Sequence, residues 1–302
     1  MSYEYVWFDG SLIHEKNATV SIDTHAIHYG TSIFEGIRGY WNGSQLNIFR
    51  LRDHVKRFKR SGAYYSISSR YTDAVITKAI LDVCKKNNIK KSCYIRPFYF
   101  VGRNGIKLHL TKKSQTHTAV FIIDFEDLFD KKGISMCISK WRKFSSLATP
   151  TQAKAGGNYL NSIIATIEAK SGGYDDAVLL DHNGHVSEAT GENIFVVKNG
   201  KISTPHESSS PLLGITRDTV KRMSKDLGIV VSERKITTAQ LKSADEVFLS
   251  GTASEIIPVT KINDKKISKG TCGSITKTMM DEYEAIVNDK RPKYSRWLYG
   301  VY

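Results

Sequence analysis

Residues 149–162 read "TPTQAKAGGNYLNS" and set one lysine, Lys154, directly ahead of two glycines and an apolar helical pattern. A surface lysine has no need of that setting. An amine held where the chain makes its tightest turn suits covalent chemistry, because lysine reacts with carbonyls by forming Schiff bases. To attack, the amine must shed a proton, and burial or nearby cations lower its pKa toward neutrality. Beyond the glycines, Leu160, Ile163, Ile164 and Ile167 form one apolar stripe of a helix that starts near Asn158, with Gly172 at its expected C-terminal end.

The 302 residues are 40% hydrophobic and 25% charged, an ordinary globular mixture with material for two cores. No apolar run reaches the length of a spanning helix, and "MSYEYVWFDG" has no basic leader before an apolar block. A cytoplasmic protein is expected. Cys84, Cys93, Cys137 and Cys272 have neither C-x-x-C nor zinc-finger spacing, and fit buried thiols in a reduced compartment. No metal site is expected. The formal charge is +14, clustered in "HVKRFKRSG" (54–62), "CKKNNIKKSC" (84–93), "KKGISMCISKWRK" (131–143) and "KINDKKISK" (261–269). The clusters are dispersed and carry few aromatics, so they read as solvated faces rather than a nucleic-acid surface.

Along the chain, "YVWFDG" reads as a strand ending in a D-G turn. Thr72 is a helix N-cap, followed by Ile76, Ile80 and Val83 on one face. "CYIRPFYFVG" and "HTAVFIIDF" read as strands, as do "ISMCIS", "AVLLD" and "NIFVV". The polar stretch "EDLFDKKG" marks a linker. The expected architecture is α+β, with a small N-terminal domain (1–125), a linker (126–137) and a larger C-terminal domain (138–302). A ligand site is expected in the cleft between the two domains.

Pyridoxal 5'-phosphate (PLP) is the usual aldehyde partner of such a lysine. A site for it needs a phosphate cradle, a partner for the pyridine nitrogen and a binder for the substrate carboxylate. "PLLGITRD" (211–218) places Gly214 and Thr216 at a helix start, where N–H groups and the dipole favour an anion. "FLSGTASE" (248–255) is a small-residue turn of similar promise. "HVSEATGENIF" (185–195) offers Glu188 and Glu192. Arg96 stands in an otherwise apolar strand, which a structural salt bridge and a bound carboxylate explain equally well.

Together these segments resemble the branched-chain amino-acid aminotransferases, of the fold-type IV group of PLP enzymes. The resemblance runs nearly end to end, through "HAIHYGTSIFEGIRGY" (25–40), "YIRPFYFVG" (94–102), "AKAGGNYLNS" (153–162), "SEATGENIFVVKNG" (187–200), "PLLGITRD" (211–218) and "ADEVFLSGTASEIIPV" (244–259). It implies that Lys154 holds PLP as a Schiff base and is the catalytic acid and base. Tyr159 is implied at the ring's phenolic oxygen and Glu188 at the pyridine nitrogen. Arg57, Ile215, Thr216 and Thr252 are implied at the phosphate. The substrate side is implied to comprise Tyr29, Phe34, Gly36, Tyr94, Arg96, Leu108, Thr252 and Ala253. The implied reaction moves an amino group between leucine, isoleucine or valine and 2-oxoglutarate in two half-reactions, in a homodimer or larger homo-oligomer. Departures fall at the rim: "RNGIKLHL" (103–110), with Lys107 and Leu108, and the linker, where Phe125 replaces the usual aromatics. The alternatives are another fold-type IV activity (D-amino-acid aminotransferase, (R)-amine transaminase or aminodeoxychorismate lyase), a basic nucleic-acid-binding protein, or a catalytically dead relative acting as an interaction protein.

Overall fold

The computed structural model describes residues 3–111, 114–124 and 129–302. The chain forms two compact units, each considered by itself. The first comprises Met1–Glu126, Ala153–Gly157 and Ile286–Tyr302; the second comprises Asp127–Gln152 and Asn158–Ala285. The domain boundaries expected from sequence therefore need correcting at two places. Residues 153–157, which include Lys154, and residues 286–302 pack with the first unit although they follow the linker in the chain. Phe125 and the start of the expected linker, 126–128, lie outside the described residues; strand Ile134–Arg142 begins inside the expected linker range.

In the first unit an eight-stranded sheet runs in the order Leu298–Gly300, Leu46–Phe49, Ile37–Trp41, Cys93–Val101, Thr116–Asp124, Tyr5–Phe8 and Ser11–His14, with Ser32–Phe34 also paired to Cys93–Val101. The D-G turn closes its first hairpin, with φ of 47° at Asp9 and 104° at Gly10. Helix Asp73–Lys86 starts at Thr72, whose hydroxyl accepts from the Val75 N–H at 3.3 Å. Its Ile76, Ile80 and Val83 are fully buried in a core with Ile37, Leu46, Ile95 and Val120. Helix Leu51–Ala63 shows why a basic run need not be a solvated face. Lys56, Lys59 and Arg60 are exposed, while His54, Val55, Arg57 and Phe58 turn inward.

The second unit is built on a nine-stranded sheet, ordered Val186–Ala189, Asp176–Leu180, Ile134–Arg142, Glu255–Ile262, Glu246–Gly251, Asn193–Lys198, Lys201–Pro205 and Val231–Arg234, with Lys265–Lys266 off the path. Helix Tyr159–Ser171 lies on strands Ile134–Arg142 and Asp176–Leu180. Here the hydrophobic reading is reversed. The helix turns Asn161, Ser162, Ala165 and Ala169 onto the sheet, where small side chains allow close approach. Leu160, Ile163 and Ile167 are left 65%, 51% and 60% exposed. Gly172 does follow the helix, but at φ −88°; the left-handed residue is Gly173, at φ 77°. Among the described residues no helix is long and apolar enough to cross a membrane.

Candidate active site

The segment 153–157 forms an edge of the first unit. Ala155 bridges Ile33, the Lys154 N–H donates to Ser61 Oγ at 3.0 Å, and the Lys154 carbonyl accepts from the Phe34 N–H at 3.1 Å. The two glycines do not serve a left-handed turn, since Gly156–Asn158 is an ordinary 3-10 turn. They permit close approach: a Cβ on Gly156 would fall 2.3 Å from Ser32 Oγ, and Gly157 lies 3.0 Å from the Cβ position of Gly30. The lysine backbone is thus clamped on both sides.

Some of the Lys154 surface reaches solvent, but its amine lies 4.9 Å from the centre of the Phe34 ring among protein atoms. Burial first, and then the Arg57 guanidinium, bring that amine down to about 8. Arg96 lies over the same Phe34 ring at 4.7 Å and over Tyr94 at 5.3 Å, and donates to the Tyr94 hydroxyl at 3.4 Å. Among the described residues no carboxylate pairs with Arg96, and its Nε is buried without a hydrogen-bond partner. Among the described residues the structural salt bridge, one of the two explanations for this charge, is therefore absent. Gly36 is walled by Tyr94, whose hydroxyl would lie 1.7 Å from a Cβ there. Phe34, Gly36, Tyr94, Arg96 and Lys154 form one cluster. Tyr29 and Leu108 stand on the surface, 43% and 75% exposed.

Arg57 is oriented by a residue outside the expected set. Glu35 is fully buried and takes Arg57 Nε and Nη2 at 2.7 and 2.8 Å, while its second oxygen also meets His54 Nδ1 at 2.7 Å. Burial opposes ionisation of Glu35, but Arg57 and His54 outweigh it and hold the carboxyl well below its usual range. Burial lowers the His54 pKa despite Glu35, so a neutral imidazole donates Nδ1–H to the carboxylate. The sequence signal was present but unread: His54 and Arg57 lie three residues apart, on one helix face.

In the second unit Glu188 joins three elements. Its Oε1 meets Lys143 Nζ at 2.6 Å, and its Oε2 accepts from the Leu212 N–H at 2.9 Å and from Asn193 Nδ2 at 3.4 Å. Asn193 Nδ2 also donates to the Leu212 carbonyl at 2.7 Å, and Gln152 brackets the same loop through the Pro211 carbonyl and the Leu213 N–H. That loop runs into helix Ile215–Asp226. Its N-cap is Gly214, with no side chain capping it, and a Cβ there would strike Asn193 Oδ1 at 2.2 Å. Ile215 and Thr216 are buried in its first turn. Thr252 and Ala253 occupy the turn after strand Glu246–Gly251, and Tyr159 opens helix Tyr159–Ser171.

By sequence Lys143 belongs to a basic run expected on a solvated face; its side chain is only 10% exposed and is committed to Glu188. Lys143→Met would leave a buried carboxylate without its cation, at a cost of about 3 kcal/mol in unfolding free energy. Lys143→Arg should recover most of that loss in denaturant melts, and no difference between the two variants would contradict the pairing.

The residues present fit PLP chemically: a desolvated amine, a buried arginine Nε without a partner, a charge-paired carboxylate and an uncapped helix start preceded by an obligatory glycine. Mixed α+β units with a lysine so placed define a fold-type IV PLP enzyme. The class IV aminotransferase family model matches residues 32–262, and the chain belongs to that family. The branched-chain-amino-acid aminotransferase of Escherichia coli K12 is 37% identical over 98% of this chain and 96% of its own. The crystal structure of the branched-chain aminotransferase from Thermoproteus uzoniensis with norvaline superposes with a TM-score of 0.96 at 39% identity, covering 100% of both chains. The branched-chain enzyme of Thermobaculum terrenum in its PLP form superposes at 0.94 and 32% identity, covering 100% of this chain and 99% of its own. The reaction of the family, PLP-dependent transfer of an amino group, is the reaction of this chain.

Proposed function

We propose that the protein transfers the amino group between leucine, isoleucine or valine and 2-oxoglutarate. The observation that carries this reading is the Lys154 amine, poised near pH 8 beside aromatic walls and an arginine that has no carboxylate partner among the described residues. PLP, when bound, supplies an aldehyde and a ring that accepts the electrons released at the substrate carbon. Lys154 Nζ, once deprotonated, takes the α-proton of the amino acid and holds it for return. Glu188, paired with Lys143 at 2.6 Å, would face the pyridine nitrogen, and Tyr159 the phenolic oxygen. Arg57, aimed by Glu35, would meet the phosphate together with the N–H groups of Ile215 and Thr216 and with Thr252. The Thr252 and Ala253 N–H groups would receive the substrate α-carboxylate.

One pocket has to admit an aliphatic side chain and, in the other half-reaction, a carboxylate. Phe34 and Tyr94 suit the first and Arg96 the second. The test is turnover of leucine with 2-oxoglutarate against D-alanine with the same acceptor. Activity on D-alanine without leucine turnover would move the protein to another fold-type IV activity.

A homodimer or larger homo-oligomer is part of this reading, on two separate observations. In the first unit Ile22, Ile27 and Leu108 are exposed, and a recess of about 480 Å3 is lined by Val20, Ile27, Phe98, Phe100 and Phe121. In the second unit the helix stripe at Leu160, Ile163 and Ile167 is uncovered. Apolar surface of this kind is ordinarily covered by a partner. Light scattering should return at least twice the 33.9 kDa chain mass; a monomer at micromolar concentration would contradict it. The four cysteines, all free, fit a reducing cytosol.

A further inference from the structure

Two acids in the second unit, Asp176 and Glu192, are buried near each other, and among the described residues neither makes an ion pair. Asp176 and Glu192 are 1% and 7% exposed. Asp176 Oδ1 accepts from the Thr190 hydroxyl at 2.6 Å and from the Ala177 N–H at 2.8 Å, and Glu192 Oε2 accepts from the Gly191 N–H at 3.2 Å. Asp176 Oδ2 is buried without a hydrogen-bond partner, as are the hydroxyls of Ser187, Ser250 and Ser254. Besides burial, Glu192 feels Asp176 and the Gly191 N–H, and Asp176 feels the Thr190 hydroxyl and the Ala177 N–H. From strand Ile134–Arg142 the neutral Cys137 thiol also feels Asp176. No Lys, Arg or His is among these neighbours. Two neighbouring carboxyls in a dry site cannot both ionise readily. Burial, followed by Asp176, pushes the Glu192 carboxyl up to about 8, and burial raises Asp176 as well.

The position of this pair gives it a use. Glu192 directly precedes strand Asn193–Lys198, whose Asn193 is paired with Ser250. A Cβ on Gly251 would fall 3.0 Å from Glu192 Cγ and 2.6 Å from Ser254 Oγ. The Glu192 stem therefore lies against the turn that carries Thr252 and Ala253. We propose that Glu192 is a positioning residue: as a neutral acid sharing one proton with Asp176, it braces the Gly251–Ser254 turn from behind and loses that hold when the proton leaves. Ionisation releases one proton to solvent and leaves two carboxylates side by side, whose repulsion moves the stem against the turn. The inference rests on the proposed role of Thr252 and Ala253 in receiving anions.

The sign follows from linkage. Glu192 binds its proton more tightly in the folded protein than at the ordinary value of 4.5, so its effect on stability worsens as pH rises from there and levels off above about 8. Glu192→Gln replaces the acid by a permanent neutral mimic. Three measurements on full-length wild type, Glu192→Gln and Asp176→Asn test the proposal. The melting temperature should fall with pH toward about pH 8 more steeply in wild type than in Glu192→Gln. The ratio of the wild-type PLP dissociation constant to that of Glu192→Gln should rise about tenfold between about pH 6 and about pH 9. The infrared carbonyl stretch of a buried protonated acid should be present in wild type at neutral pH and absent from Glu192→Gln. In Asp176→Asn, where burial still favours the neutral acid but the second carboxyl is gone, the stretch should shift in frequency. Equal melting slopes, a constant ratio or no acid band would each overturn the proposal. If no variant bound PLP at any pH, the role of the turn would fall with the site reading, while the acid band and melting slope would still decide whether the proton is shared.

Discussion

Replacing Lys154 by alanine is expected to lower transamination by about 10^4-fold or more, because it removes both the carbonyl-reactive amine and the proton carrier. Lys154→Arg separates chemistry from charge. Arginine keeps a cation over Phe34 but does not deprotonate in this range, whereas the native amine has been brought to about 8 by burial and Arg57. Both variants should be equally inactive, and both should melt close to wild type, since the clamp on residues 153–157 is made by backbone atoms and glycines. Activity retained in Lys154→Arg would show that the position needs a charge and not a nucleophile.

Glu35→Gln is expected to cost about 3–5 kcal/mol in unfolding free energy at neutral pH, the usual consequence of stripping the carboxylate from a buried pair and leaving its cation behind. The partner abandoned is Arg57, held at 2.7 and 2.8 Å in a site where Glu35 is fully buried. The pH dependence has a definite sign. The Glu35 pKa is lower folded than unfolded, so its contribution is complete above the ordinary value of 4.5 and drains away as pH falls below it. Wild type should therefore lose stability in acid more steeply than Glu35→Gln, and parallel acid limbs would contradict the pairing. PLP affinity should fall in the variant even where it is folded, because Arg57 would no longer be aimed. Glu35→Asp should restore part of the stability but less of the affinity.

Short-range signals carried much of the fold. The Thr72 cap and the Ile76, Ile80, Val83 face, the Asp9–Gly10 turn and the strands around Ile95 and Ile194 depend on neighbours within a few residues, and all stand where the pattern puts them. What escaped depends on partners distant in the chain. The stripe at Leu160, Ile163 and Ile167 is genuine, but periodicity does not say which face meets the sheet, and Ala165 and Ala169 pack closer than leucine would allow. The return of 153–157 to the first unit rests on contacts with Ile33, Phe34 and Ser61, about a hundred residues earlier. The fate of a charge depends on distant partners for the same reason. Lys143 looks like any other member of a basic run until Glu188 is found 2.6 Å from it, and nothing near Arg57 in the chain shows that Glu35 orients it.

The direct measurement is to saturate the purified protein with PLP, reduce it with hydride, digest it and locate the pyridoxyl mass. The site described here puts that mass on Lys154 and on no other lysine. A label elsewhere, or none in protein that has taken up the cofactor, would contradict it.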